Sequence, residues 1–126
     1  MESVVVRLRP AVDEDAPLLF DWANEKEVRR NRLSGSEPLE WLGHCEWLRR
    51  RIDRLEPEDV FIAIYGDDCP VGVGRILMRP ENNDGLISVL VDAGARRSGV
   101  GYQIIKLLVS KIKKAGRVPV ARVLTS

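Results

Sequence analysis

Short blocks of apolar residues punctuate this chain, and the period of each block predicts an element. Val4 to Leu8 is a β-branched run that stops at Arg9-Pro10, a short strand. Asp13, Glu14 and Asp15 then open a helix whose apolar residues Leu18, Leu19 and Trp22 lie three and four apart. Asn24 to Arg32 is polar and basic, a broken helix or loop, and Ser34-Gly35-Ser36 is a turn in which Ser36 can cap the next helix. That helix is predicted from Pro38 to Leu55, with Trp41, Cys45, Leu48, Ile52 and Leu55 as its buried stripe. Val60 to Tyr65 and Val71 to Met78 read as strands joined by a hairpin turn at Gly66-Asp67-Asp68. A longer turn, Arg79 to Gly85, leads into a strand over Leu86 to Val91. A helix from Gly99 to Ala115 follows, with Ile104, Ile105, Leu108 and Ile112 as its core face and Gly116 at its C′ position. Val118 to Leu124 is a last strand.

The predicted order is β-α-α-β-β-β-α-β. Three consecutive strands imply an antiparallel meander, and the final β-α-β implies a parallel crossover onto the same sheet. The fold class is therefore α/β (α+β), a mixed sheet of five strands with helices packed on it. The 126 residues suffice for one domain with one core, so residues 1–126 are read as a single domain.

Charge narrows the functional classes. The net charge of +1 supplies no general field for nucleic acid or membrane. No apolar run approaches the roughly 20 residues that span a bilayer. Cys45 and Cys69 are isolated and lack metal-ligand spacing, so no metal site is expected and a reducing cytoplasm is the simplest location.

The candidate chemistry lies where the strand ending at Val91 meets Arg96-Arg97-Ser98-Gly99-Val100-Gly101-Tyr102. A helix start exposes unpaired N–H groups and the positive end of the dipole, and so favours anions. Gly99 and Gly101 keep Cβ atoms out of a phosphate's approach. The dinucleotide fingerprint fails, because Ile104 stands where a third glycine is required. The nucleotide P-loop fails as well, since Tyr102-Gln103 follow the second glycine in place of Lys and Ser or Thr. What remains is Arg-x-x-Gly-x-Gly, which an ordinary tight turn with solvated arginines also satisfies.

With this motif between the third strand of a meander and a long helix, and two helices ahead of the meander, the chain resembles the GCN5-related N-acetyltransferases (GNAT). The resemblance covers residues 4 to 126. It implies an acyl-CoA N-acyltransferase fold and acetyl-CoA as co-substrate, its pyrophosphate on Arg96, Arg97, Ser98, Gly99, Val100, Gly101 and Tyr102. It also implies a pantetheine arm bonded to the backbone of Val89, Leu90 and Val91, with one N–H facing the thioester carbonyl. The family usually adds a further helix, which carries an acidic tyrosine, and two closing strands. These are not found before Ser126, so the domain is expected to be C-terminally truncated and its catalytic residues are not assigned.

A narrower resemblance rests on the N-terminal half. Phe20-Asp21-Trp22-Ala23-Asn24, Glu27-Val28-Arg29-Arg30-Asn31 and Trp41-x-x-His44-x-x-Trp47 are similar to enzymes that acetylate the amino group of a nucleotide-linked sugar on the way to sialic-acid-like sugars. That implies an acceptor site at Arg29, Arg30, Asn31, His44 and Trp47. Read from the residues alone, His44 and Trp47 sit at the edge of the predicted stripe with Arg51 in line, suited either to stacking a base or sugar or to peripheral packing. A ribosomal protein or small amine as acceptor, and an acetyl-CoA-binding module without turnover, are the alternatives. An open edge on the last strand implies a homo-oligomer associating near Val118 to Ser126.

Overall fold

The computed structural model describes residues 5–25 and 38–121. Arg29, Arg30, Asn31, Ser36 and the last residues of the predicted final strand lie outside them. In chain order the elements are β1 (Val6–Pro10), α1 (Ala16–Ala23), α2 (Trp41–Ile52), β2 (Glu58–Tyr65), β3 (Cys69–Arg79), β4 (Asp84–Val91), α3 (Val100–Lys114) and β5 (Val118–Ala121). The chain divides into two compact units: Val12–Glu56, which holds α1 and α2, and the flanking residues, which hold the sheet and α3.

The sheet runs β1-β2-β3-β4-β5, antiparallel through β4 and parallel between β4 and β5. Helix α3 makes the crossover. Its residues Val100, Ile104, Leu108 and Ile112 recur every four positions and pack with Val6, Ala63, Val71, Ile76 and Ile87. The predicted core residue Ile105 falls off this stripe and is 40% exposed. The helix lies close because glycines floor the sheet beneath it. A Cβ at Gly74 would stand 3.0 Å from Leu108 Cδ1, and one at Gly85 would stand 2.9 Å from Ile112 Cγ1. At its far end, Arg117 N–H donates to Ile112 O and Gly116 N–H to Lys113 O, with Gly116 at φ 75°, the expected glycine stop.

Strand β4 begins at Asp84, two residues earlier than predicted. Arg79 donates twice to the Asp84 carboxylate, at 2.8 and 2.7 Å, and this fork clamps the β3–β4 turn. The bonded guanidinium holds the Asp84 carboxyl below its ordinary range.

In the helical unit, α2 is shorter at both ends than its apolar spacing predicts. Glu40 is extended (φ −87°, ψ 141°), so the helix starts at Trp41 and not at Pro38. Arg54 takes φ 58°, and Leu55 N–H returns to Arg50 O at 2.8 Å, which stops the helix after Ile52. Leu55 is consequently 62% exposed, and Trp41 is exposed as well. The buried positions are His44 and Leu48, so the true inner face is rotated toward His44 from the predicted Trp41/Cys45/Leu55 line.

Candidate functional site

The β4–α3 junction is built by side chains and main chain that fold back on one another. The Asp92 carboxylate accepts from Gly94 N–H at 2.9 Å and starts a single tight turn, Ala93–Ala95. Arg96 Nε donates to Val91 O at 3.1 Å, and Ser98 Oγ donates to Ala95 O. Arg97, exposed, has φ 64°, and Gly99 has φ 86° at the N-cap of α3. The first intrahelical bond runs from Gln103 N to Gly99 O at 3.1 Å. The amides of Val100, Gly101 and Tyr102 thus have no carbonyl four residues back, and they lie at the positive end of a helix of 15 residues.

The fold treats the two glycines differently. A Cβ at Gly99 would meet nothing within 4 Å, so its positive φ is what selects glycine. A Cβ at Gly101 would touch only Val91 Cγ2, at 3.4 Å, an ordinary contact. Packing therefore does not demand glycine at 101.

Among the described residues β5 pairs with β4 from Asp84↔Val118 to Ile87↔Ala121. The bond from Asp92 N to Val71 O sets the phase of the β3–β4 ladder. Main-chain polar groups alternate sides along a strand, so those of Ser88 and Leu90 point to β3 and those of Ile87, Val89 and Val91 point away from it. Val91 O is occupied by Arg96. Leu90 thus directs its N–H and C=O to β3, whereas Val89 directs its own away from β3. The signal for this is the phase of the β3–β4 ladder, which no local pattern reports.

Within the helical unit, Trp41, His44 and Trp47 form one aromatic row along α2. His44 stacks on Trp47 with centroids 5.8 Å apart and planes 17° apart, and Arg51 Cζ lies 4.6 Å over the Trp47 ring. Phe20 of α1 meets Trp41 edge-on at 5.1 Å and His44 at 5.3 Å. His44 is buried, with Nε2 3.1 Å from Ala16 O. The ring thus carries its proton on Nε2 and donates it to the carbonyl. Burial lowers its pKa below the ordinary 6.5, partly opposed by that bond. His44 is a packed, neutral histidine, and any base chemistry would have to use Nδ1.

Among the described residues, no group of His, Cys, Asp and Glu is arranged to hold a metal ion, and no helix is long and apolar enough to cross a membrane. Tyr65 and Tyr102 are both exposed, and Lys106 Nζ lies 5.5 Å over the Tyr102 ring.

This architecture recurs in solved structures. The chain aligns with the ribosomal-protein-alanine N-acetyltransferase of Brucella melitensis at 20% identity and TM-score 0.69, over 91% of this chain and 72% of that one. It aligns with the Salmonella typhimurium protein yncA, solved with its cofactor acetyl-CoA, at 16% identity and TM-score 0.70, over 93% and 69%. An aminoglycoside acetyltransferase in complex with coenzyme A matches at 17% identity and TM-score 0.74, over 90% and 70%. Comparison with curated protein sequences finds no significant match. The acetyltransferase (GNAT) family model, however, matches residues 17–124, nearly the whole chain and both sides of the glycine-capped junction, and the chain therefore belongs to the GNAT family of N-acetyltransferases.

Proposed function

We propose that this N-acetyltransferase uses acetyl-CoA, held at the β4–α3 junction, to acetylate the amino group of a nucleotide-linked amino sugar. One observation carries the cofactor half: a glycine-capped helix start with three amides outside the helical ladder follows directly on a strand whose Val89 main chain points away from β3. The fit is chemical. Amides at a positive helix end suit a pyrophosphate. An N–H and C=O directed away from β3 at Val89 suit an amide-bearing chain lying along the strand. When bound, acetyl-CoA supplies the activated acetyl thioester. Val100, Gly101 and Tyr102 would hold its phosphates through N–H groups. Arg97 would add charge from solvent, while Arg96 braces the loop through Val91 O. The N–H of Val89 is preorganised to donate to an oxygen that gains negative charge, without reorganisation at the moment of reaction.

The acceptor half is assigned to His44 and Trp47, with Arg29, Arg30 and Asn31 as anion contacts. The aromatic row with Arg51 over Trp47 supports it, because a stacked indole and a guanidinium are a platform for a base or sugar. A protein N-terminal amine is the competing acceptor, favoured by the likeness to the Brucella structure. The reading extends to self-association along β5, whose Val118 is exposed; light scattering at micromolar concentration tests it.

Calorimetric titration with acetyl-CoA, followed by turnover on a nucleotide amino sugar and on an alanine-initiated peptide, tests the proposal. Binding with turnover on the sugar is expected. Trp47→Ala should then raise the KM for the sugar and leave the KM for acetyl-CoA unchanged. Equal changes in both constants would make Trp47 a packing residue, and turnover on the peptide alone would transfer the assignment to protein acceptors.

A further inference from the structure

We infer that Gln103 is a positioning residue for acetyl-CoA: it ties the first turn of α3 to the edge strand β1 and so places the free amides of Val100, Gly101 and Tyr102. The role rests on reading the β4–α3 junction as the seat of the co-substrate's pyrophosphate.

Among the described residues β1 is an edge of the sheet, paired with β2 alone. Two bonds fix which way its main chain points. Gly66 N–H donates to Val5 O at 3.5 Å, and Ala11 N–H donates to Val60 O at 2.9 Å. Main-chain groups alternate sides along a strand, so the N–H of Val6 points away from β2. Val6 is nevertheless buried, packed in the core with Val100 and Ile104 of α3. An N–H in such a place needs a partner within the protein. Gln103 provides one: Val6 N–H donates to Gln103 Oε1 at 3.2 Å. The two residues belong to the same compact unit.

Position along the helix gives this bond its consequence. Gln103 follows the three free amides directly, and its own N–H makes the first intrahelical bond, to Gly99 O. The rest of α3 is held to the sheet by the apolar row Val100, Ile104, Leu108 and Ile112. Apolar burial is non-directional; it sets how deeply the helix sits and only weakly opposes a roll about its axis. A hydrogen bond demands both distance and angle. Gln103 lies beside the row, next to Ile104, so its bond to the sheet restrains roll at the end where the amides are. A roll of that turn would carry the N–H groups of Val100, Gly101 and Tyr102 sideways from the pyrophosphate. With the bond removed, the turn spends part of its time displaced, and apparent affinity falls by the fraction that is still correctly placed. Gln103 thus acts on the co-substrate through the turn and not by touching it.

The test uses the whole chain and two readouts, amide exchange at Val6 without ligand and calorimetric titration with acetyl-CoA. Gln103→Met keeps the side chain's length and a good helix propensity but has no oxygen to accept. In it the Val6 amide should exchange about tenfold faster or more, whereas Gln103→Glu, which keeps an acceptor, should retain wild-type protection. The Kd of Gln103→Met for acetyl-CoA should rise about five- to tenfold, the weight of one ordinary hydrogen bond. Ile112→Val, at the far end of α3, is the control for stability alone, since it weakens the same core by a similar amount. Its Kd should equal that of the wild type. Gln103→Asn, too short to reach Val6, carries the same test if Gln103→Met does not fold. A Val6 amide unprotected in the wild type, an unchanged Kd in Gln103→Met, or an equal rise in Ile112→Val overturns the role of Gln103 and leaves acetyl-CoA binding in place. Absence of acetyl-CoA binding to the wild-type protein overturns the reading of the junction itself.

Discussion

Replacing Gly101 by alanine separates stability from cofactor binding, because the two respond in opposite directions. Gly101 is the second residue of α3, and its φ is not in the left-handed region. An added Cβ meets only Val91 Cγ2, at 3.4 Å, so nothing in the fold must move. Alanine is the better helix former, by up to about 1 kcal/mol in a helix interior and roughly half that near an end. For a chain of this size the gain corresponds to a Tm higher by about 2 °C. The same methyl group stands beside the free amides of Val100 to Tyr102. If it costs an incoming pyrophosphate two charge-assisted hydrogen bonds, at roughly 1.5 kcal/mol each or more, the loss is about 3 kcal/mol. That is on the order of a hundredfold in Kd. Gly99→Ala is the control. Its Cβ meets nothing, but φ 86° is strained for alanine by about 1–2 kcal/mol, so it should melt lower and bind more weakly together. Scanning calorimetry without ligand and titration with acetyl-CoA read the two effects separately. A Gly101→Ala protein that binds acetyl-CoA as tightly as the wild type would refute the cradle. One that melts lower would refute the description of the helix start.

Three further outcomes are expected from the packing and the charges. Leu108→Ala removes a side chain with no exposed surface at the centre of the α3–sheet core; it should cost about 2–5 kcal/mol in urea unfolding with an unchanged m-value. His44 has a folded pKa below 6.5, so the unfolded chain takes up this proton first. Stability should be fully present above that value and decline as pH falls toward the lowered one, a slope that His44→Gln should remove in thermal melts. Asp84 has a folded pKa below 3.8, so its contribution is present above that value and is lost as pH falls through the lowered one. Asp84→Asn should be less stable at neutral pH and show a shallower acid limb in fluorescence-monitored titration.

The parts of this protein that its sequence predicts well are those decided by neighbours in the chain. Gly66 with two aspartates makes a hairpin turn, Gly116 ends α3, and Gly99 after a strand opens it, because each is a conformational demand met within a few residues. The element order followed from such signals and from apolar period, and with it the mixed sheet and the location of the glycine-capped helix start.

Other features depended on partners distant in the chain. Helical period along α2 showed that one face is buried but not which one; the phase was settled when Ala16 O met the His44 ring and Phe20 met Trp41 and His44. Arg54 stopped that helix in a backbone conformation that its residue type does not announce. The distinction between Val89 and Leu90 came from the phase of the β3–β4 ladder. The bond from Val6 N–H to Gln103 likewise exists only once α3 lies across the sheet. By itself the sequence determined which segments are helix or strand and where a glycine opens the last helix, since steric and hydrogen-bond preferences act over a few residues. Tertiary structure alone decided which way the main-chain groups of β4 point and which side chains meet across the sheet, because register is set by the packing of whole elements.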